Sequence, residues 1–380
     1  MNDIPLLRNS ERHDFKRCPM RWNWRYNEHL VPANVTTGPL LFGTLGHLAL
    51  ASWYVPGRKR GIEPQETWQK ITQEFIDVVK TTKYVDDEDI SSWEDARELG
   101  YKMLGNYRAL YDEDNQWEVL FVEEPFKQKI GHPLDLVRKV SKPRAIVNYV
   151  GTIDLIVRNL ETGRIEFVDH KFMKVIETDH LYIDDQNGGY LAIATHELRK
   201  RGLIGAKDSV RTLVYNFLRK ALPPDRPKNA EGKYTNLPKK ENYIEALGDK
   251  GIEATTKSTL AQLESMAAAM GLRVLGEPSK VQPPAFFVRE RIERTALERR
   301  RQVERIAREA FVLKSFRDKE LPLYKTPSRD CKWDCSYFDM CQTHESGGDL
   351  ELIKQTVFKK DDPYREYYDG AKSPKILDPQ

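Results

Sequence analysis

Asp154 stands in the middle of the apolar segment GTIDLIV, and Asp169 and Lys171 follow in the next one, RIEFVDHKFMKVI. Side chains at i and i+2 of a strand point to one face, so Asp169 and Lys171 project together. Two carboxylates converging across adjacent strands make an oxygen-rich site for a hard divalent cation such as Mg²⁺ or Mn²⁺. A lysine beside that cation can orient a water, help to deprotonate it and offset charge on a pentavalent phosphate. A solvated Asp–Lys pair on a strand would show the same short pattern, so its neighbours matter. His47, in GTLGH with glycines at 43 and 46 for close helix packing, offers an imidazole as a further ligand; a core or surface histidine is the plainer alternative. Gln186 and Tyr190, in QNGGY, fall at i and i+4 on one helix face. There an amide and a phenol can hold a phosphate or steady the lysine, or be ordinary polar residues of a helix start. Glu123 and Glu124, in VEEPF, are candidates for one more carboxylate.

The second chemical feature is the cysteine pattern. Cys18, Cys331, Cys335 and Cys341 are the four in the chain, three of them inside CKWDCSYFDMC. In a reducing compartment such a cluster reads as metal or catalytic chemistry before disulfides. Four thiolates match a tetrahedral zinc site or a [4Fe–4S] cluster, against the alternative of four unrelated buried cysteines. The C-x3-C-x5-C spacing is looser than the C-x2-C pairs of zinc ribbons, which favours iron–sulfur.

The surrounding elements must position these groups. Ser10–Leu30 reads as a helix ending near Cys18 and restarting at Pro19. Its KRCPMRWNWRY stretch interleaves Lys16, Arg17, Arg21 and Arg25 with Trp22, Trp24 and Tyr26, which suits either base stacking with phosphate contacts or a core-facing amphipathic helix. Helical periodicity runs from Gly38 to about Asp112, with breaks at Pro56–Gly57 and Asp86–Asp89. Three β-rich segments follow, WEVLFVEEPF, AIVNYVGTIDLIVRN and RIEFVDHKFMKVI, the last two joined by a hairpin at Leu160–Gly163. A helix over Asp184–Lys200, stopped by Gly202, and a strand in VRTLVYNFLRK complete an α/β pattern. Residues 221–284 read as an insertion with a helix near Thr255–Met270, and Arg289–Phe316 as one long charged helix. The tail after Glu345 is polar and is expected to be poorly ordered.

Composition sets the outer limits. The 380 residues carry 61 Lys+Arg against 58 Asp+Glu, a net charge of +3, which excludes a globally basic DNA binder but not a local basic groove. Mean hydropathy is −0.65, and the longest apolar run, Pro39–Val55, is interrupted by Gly and His. With no apolar h-region in MNDIPLLRNSERHDFKR, the expectation is a soluble, cytoplasmic chain without a membrane partner.

In order, Gly43–His47, Gly151–Asp154, Asp169–Lys171 and Gln186–Tyr190 give G-x3-H, G-x-x-D, (D/E)-x-K and Q-x3-Y. This series resembles RecB-like nucleases of the PD-(D/E)xK superfamily. The early Cys-Pro and three late cysteines resemble the iron–sulfur staple of the AddB subunit and of CRISPR-associated RecB-like exonucleases. The resemblance spans Cys18 to Cys341. It implies a restriction-endonuclease-like mixed sheet flanked by helices, with helical N- and C-terminal regions joined by a four-cysteine metal cluster. It implies metal binding by His47, Asp154 and Asp169 with the carbonyl of His170, a catalytic Lys171, supporting roles for Gln186 and Tyr190, and a [4Fe–4S] cluster on Cys18, Cys331, Cys335 and Cys341. Two departures stand out: Asp169 replaces the commoner Glu, and the first two late cysteines have three residues between them rather than two. On this basis residues 1–344 form one nuclease domain, with its core at about 117–220, the insertion at 221–284 and a tail at 345–380. The implied activity is metal-dependent DNA hydrolysis, as an exonuclease on single- or double-stranded DNA in processing, recombination or repair, in a phage or mobile-element setting. The sequence has no G-x4-G-K-[ST] phosphate loop, so any helicase partner would be a separate protein. Competing readings are a non-catalytic DNA-binding or assembly module of the same fold and a zinc-stapled protein of other activity.

Overall fold

In the computed structural model, which describes residues 4–33, 39–81, 87–206 and 208–368, a mixed six-stranded sheet carries the chain's polar motifs. The chain begins with β1 (Leu6–Leu7), α1 (Asn9–Arg17) and α2 (Pro19–Trp22). Cys18 is extended between the two helices, and Pro19, which has no N–H to satisfy, opens the second. A π-helical turn, Asn23–Asn27, leads into β2 (Leu30–Pro32). Three helices follow: α3 (Pro39–Trp53), α4 (Pro64–Lys80) and α5 (Asp87–Tyr111). The expected break at Asp86–Asp89 begins at a residue outside the described ones. Next come β3 (Trp117–Gly131), α6 (Pro133–Val137), β4 (Ala145–Asn159), β5 (Ile165–Met173), α7 (Asp185–Lys200) and β6 (Thr212–Arg219).

Two compact units result: Met1–Lys220 with Phe287–Gln380, and Ala221–Phe286. The second holds α8 (Lys240–Gly248) and α9 (Leu260–Ala269) around Leu247, Leu263 and Ala267. The helix expected near Thr255 starts at Leu260 because Thr259 and Gln262 form a capping box there. The first unit resumes with β7 (Phe287–Glu293), α10 (Ala296–Arg317), α11 (Cys331–Asp334), α12 (Phe338–Ser346), α13 (Leu350–Val357) and β8 (Phe358–Lys360).

Strand order is β1-β4-β5-β6-β7, with β3 also paired to β4. β4 and β5 are antiparallel, and the turn between them reverses at Gly163, whose φ of +68° suits glycine. β5 and β6 are parallel, joined by the α7 crossover. α7 and α10 cover the sheet, and Tyr149, Ile156, Phe167, Leu191, Leu213, Phe217 and Ile306 lie in the core between these layers. No helix among the described residues is long and apolar enough to cross a membrane.

Three expectations need correction. Residues 289–293 are strand rather than helix: alternation buries Ile292 beside β6, and the Thr295–Glu298 capping box starts α10 only at Ala296. Trp22, Trp24 and Tyr26 are at most 4% exposed, so they face the core and are closed to base stacking. Their neighbours Arg21 and Arg25 pair with Asp14, and Arg17 with Asp334. The tail is ordered in part: β8 pairs antiparallel with β2, and Phe358 joins Trp24, Leu30, Tyr337 and Met340 in a small core. Residues 369–380 lie outside the described ones.

Candidate metal centre and catalytic lysine

Register and packing bring the predicted residues to one place. Leu155 pairs with Val168, which sets Asp154 beside Asp169 on the hairpin. The backbone N–H of His170 donates to Asp154 Oδ2 at 2.6 Å, and His47 Nδ1 lies 3.2 Å from the same oxygen. His47 reaches that far because α3 rests directly on β5: a Cβ at Gly46 would sit 2.4 Å from the Phe172 ring. Gly43, also expected to serve close packing, faces open space instead. Gly151 has a comparable role on β4, where a Cβ would come within 3.0 Å of the rings of Phe126 and Tyr190.

Lys171 is fixed from two sides. Its Nζ lies 2.8 Å from Asp169 Oδ2 and donates to Gln186 Oε1 at 3.1 Å. Gln186 Nε2 in turn donates to the Tyr190 hydroxyl at 3.2 Å, one helical turn along α7. Of this amide and phenol, Gln186 contacts the lysine directly and Tyr190 contacts Gln186.

Glu123 joins two of these residues in a group that could hold a cation. Ligand atoms of His47, Glu123 and Asp154 all lie within 4.8 Å of one another, and this is the one such group of three among the described residues. Glu123 has a left-handed backbone (φ +47°) inside β3, in the step between the Val122–Leu155 and Glu124–Ile153 pairs. A non-glycine residue in that region carries strain, which clusters at functional sites. Glu124, its companion in the sequence, pairs with Arg201 away from the site. Asp169 lies outside the 4.8 Å set, on the lysine. His170 turns its ring the other way, to Asn216 at 2.8 Å.

Electrostatics follow from this crowding. Burial opposes charge on His47, but Asp154 foremost, then Glu123 and Asp169, lift its pKa to about 9. Burial and the Asp154 charge push Glu123 up to about 7. Burial raises Asp169 to about 6, with Asp154 adding to it and Lys171 opposing. Asp154 itself is held down at about 2 against burial by His47, His170 and Lys171. Burial disfavours the Lys171 ammonium, yet Asp169 and Asp154 raise its pKa, so it stays charged. The site is thus three interacting carboxylates, Glu123, Asp154 and Asp169, beside two cationic side chains, His47 and Lys171.

The model of the PD-(D/E)XK nuclease superfamily matches residues 10–342, which include every residue of this site. The chain belongs to this superfamily. Curated proteins give no significant match to the sequence. Membership accounts for the mixed sheet flanked by helices and supports a metal-dependent nuclease, since PD-(D/E)XK nucleases use divalent metals.

This PD-(D/E)XK chain also gathers its cysteines. Cys18, Cys331, Cys335 and Cys341 are free thiols, partly buried, and all four line one cavity of about 770 Å³ with Met20, Trp24 and Arg21. Burial pushes the Cys335 and Cys341 thiols up in pKa. No three of the sulfurs lie within 4.8 Å of one another.

Proposed function

We propose that the chain is a Mg²⁺- or Mn²⁺-dependent deoxyribonuclease that hydrolyses phosphodiester bonds from DNA ends, as an exonuclease in DNA processing, recombination or repair. The placement of the Lys171 ammonium between Asp169 and Gln186, beside the His47–Glu123–Asp154 set, carries this reading. Two carboxylates and an imidazole, once His47 has released its proton, would suit a divalent cation, which when bound would supply neutralisation of phosphodiester charge and acidification of a water. The chain's own residues do the rest. Asp154 is kept ionised and in one orientation by the His170 N–H and by His47. Of the three N–H donors of Lys171, two are directed to Asp169 and Gln186, leaving one for a phosphate oxygen or the attacking water.

Digestion of labelled linear, end-blocked and circular DNA, single- and double-stranded, with Mn²⁺ tests the proposal. Asp169→Ala and Lys171→Ala are expected to lose cleavage while remaining folded. Retained cleavage by either pure variant refutes the site, and cutting of circles refutes the dependence on ends.

For the four cysteines we propose a [4Fe–4S] cluster. All four cysteines line one cavity, and their C-x3-C-x5-C spacing is looser than the C-x2-C pairs of zinc ribbons; these two features support the reading. Four irons per chain, with a broad visible absorbance, are the expected result of metal analysis; one zinc per chain and a colourless protein refute it.

A further inference from the structure

Beside the N-terminus of α7, cations are paired with carboxylates on one side and outnumber them on the other. Asp185, next in sequence to Gln186, faces Arg12, Lys16 and Arg305 and also accepts from Gln302, and Glu309 pairs with Arg12 and Lys16 as a second acid. On one side of it, a cavity of about 490 Å³ is lined by Gln186, Tyr190, His13 and Lys16. Three acids share that wall: Asp14 pairs with Arg21 and Arg25, Asp185 with the cations named above, and Asp184 caps α7 through the Asn187 N–H. On the other side, a cavity of about 320 Å³ is lined by Arg294, Arg299, Arg301, Arg305 and Tyr182.

Among the lining residues of this second cavity Glu298 is the one acid, and its carboxylate accepts from the Thr295 N–H. Arg294 and Arg299 reach backbone carbonyls, of Leu181 and Arg294 respectively. The Arg301 side chain, on α10, makes no hydrogen bond or ion pair among the described residues. Burial together with Arg211 and Arg199 lowers the pKa of Arg299, a sign of repulsion that no carboxylate relieves. Phosphates would relieve it, with release of counterions. At the rim stand Tyr182 and Ile183, 61% and 74% exposed, on the connection from the strand of Lys171 to α7. An exposed aromatic ring reaches the face of a base only where that base is unpaired.

We propose that this surface is a track for one strand of single-stranded DNA, running from the Gln186–Tyr190 cavity past Asp185 to the arginine-lined cavity, with Tyr182 stacked on a base. The choice of occupant rests on the nuclease reading; the binding test below does not require cleavage. Fluorescence anisotropy of the full chain in EDTA, with labelled single-stranded and duplex oligonucleotides over a salt series, measures it. Arg301→Gln is expected to reduce the slope of log K against log salt by about 0.7 on single strands. Tyr182→Ala is expected to weaken single-strand binding about fivefold or more and to leave duplex binding unchanged. Lys102→Gln, a loss of charge on α5, serves as the control and should change neither. Absence of single-strand binding by the wild-type chain, wild-type behaviour of both variants, or equal losses on duplex and single strand overturns the track. If Lys171→Ala abolishes cleavage while Arg301→Gln and Tyr182→Ala bind like wild type, the track alone fails. If no variant or wild-type chain cleaves but the two variants lose binding, the nuclease reading fails and the track stands.

Discussion

Arg289 offers a sharp test of how the sheet is held in register. Its guanidinium makes two bonds to Asp114, at 2.8 and 2.6 Å, and others to Tyr107 at 2.8 Å and Asn216 at 3.2 Å. It also lies against the rings of Tyr111 and Trp117, 3.6 and 4.3 Å from their centroids. Arg289→Met keeps most of the volume but strands the Asp114 carboxylate, which is 4% exposed. Breaking a buried ion pair from one side costs about 3–5 kcal/mol. Asp114 would retain Tyr54 at 2.7 Å and Gln116 at 2.9 Å, so the expected loss sits at the lower end, about 3 kcal/mol. Pairing it with Asp114→Asn should recover at least about 1 kcal/mol in a double-mutant cycle. Urea denaturation followed by tryptophan fluorescence suits the measurement, because none of the seven tryptophans falls in 221–286 and the signal reports the sheet-bearing unit. The pH dependence has a definite sign. Arg289 lowers the Asp114 pKa against burial, so the pair's contribution is present above the unfolded value of about 3.9 and lost as pH falls through the lower folded value. The gap between wild type and Arg289→Met should therefore narrow below about pH 4. A loss under about 1 kcal/mol at neutral pH, or a cycle with no coupling, refutes the reasoning.

Three further outcomes are expected. Gly46→Ala drives a methyl into the Phe172 ring; it should destabilise the fold by about 1–3 kcal/mol and weaken Mn²⁺ binding by calorimetry, because His47 is the next residue. Gln186→Met removes one acceptor from Lys171 and should lower the cleavage rate about tenfold while Mn²⁺ binding by calorimetry is unchanged. Asp135, held down at about 2 by the Arg144 side chain and then its backbone N–H, should hold the turn before β4 closed above its unfolded pKa of about 3.9 and release it as pH falls through about 2. Amide exchange at Arg144 reads that opening, and Asp135→Asn should remove its pH dependence.

The hairpin was legible in the sequence because two β-branched, apolar runs flank LETG, which marks the turn, so the facing of Asp169 and Lys171 followed from period 2. Gln186 and Tyr190 followed equally from the period of a helix. Glu123 was visible only as one of two adjacent glutamates: choosing between them depends on a left-handed backbone at that residue, which local sequence does not encode for a non-glycine. Residues 289–293 misled because Arg and Glu at close spacing suit a helix surface and an edge strand alike, and the pairing with β6 decides. The Arg289–Asp114 network was equally hidden, since charges on separate elements give no local signal of meeting. The aromatic stretch near Cys18 could be read as surface or core until β8 supplied a cover for Trp24 and Leu30.

The pairing of Leu30 with Lys360 has a consequence for the newborn chain. At about 5–20 residues per second, synthesis takes about 15–65 s to span the 360 − 30 = 330 residues between them. Throughout that interval Trp24 and Leu30 lack the partners that bury them, and Cys18 waits for Cys331, Cys335 and Cys341. The sheet has its strands by residue 293, so a translating ribosome carries a largely formed core with one apolar seam still open. Maturation of this protein is thus a matter of timing, with the segment around Trp24 and Leu30 being among the last to settle.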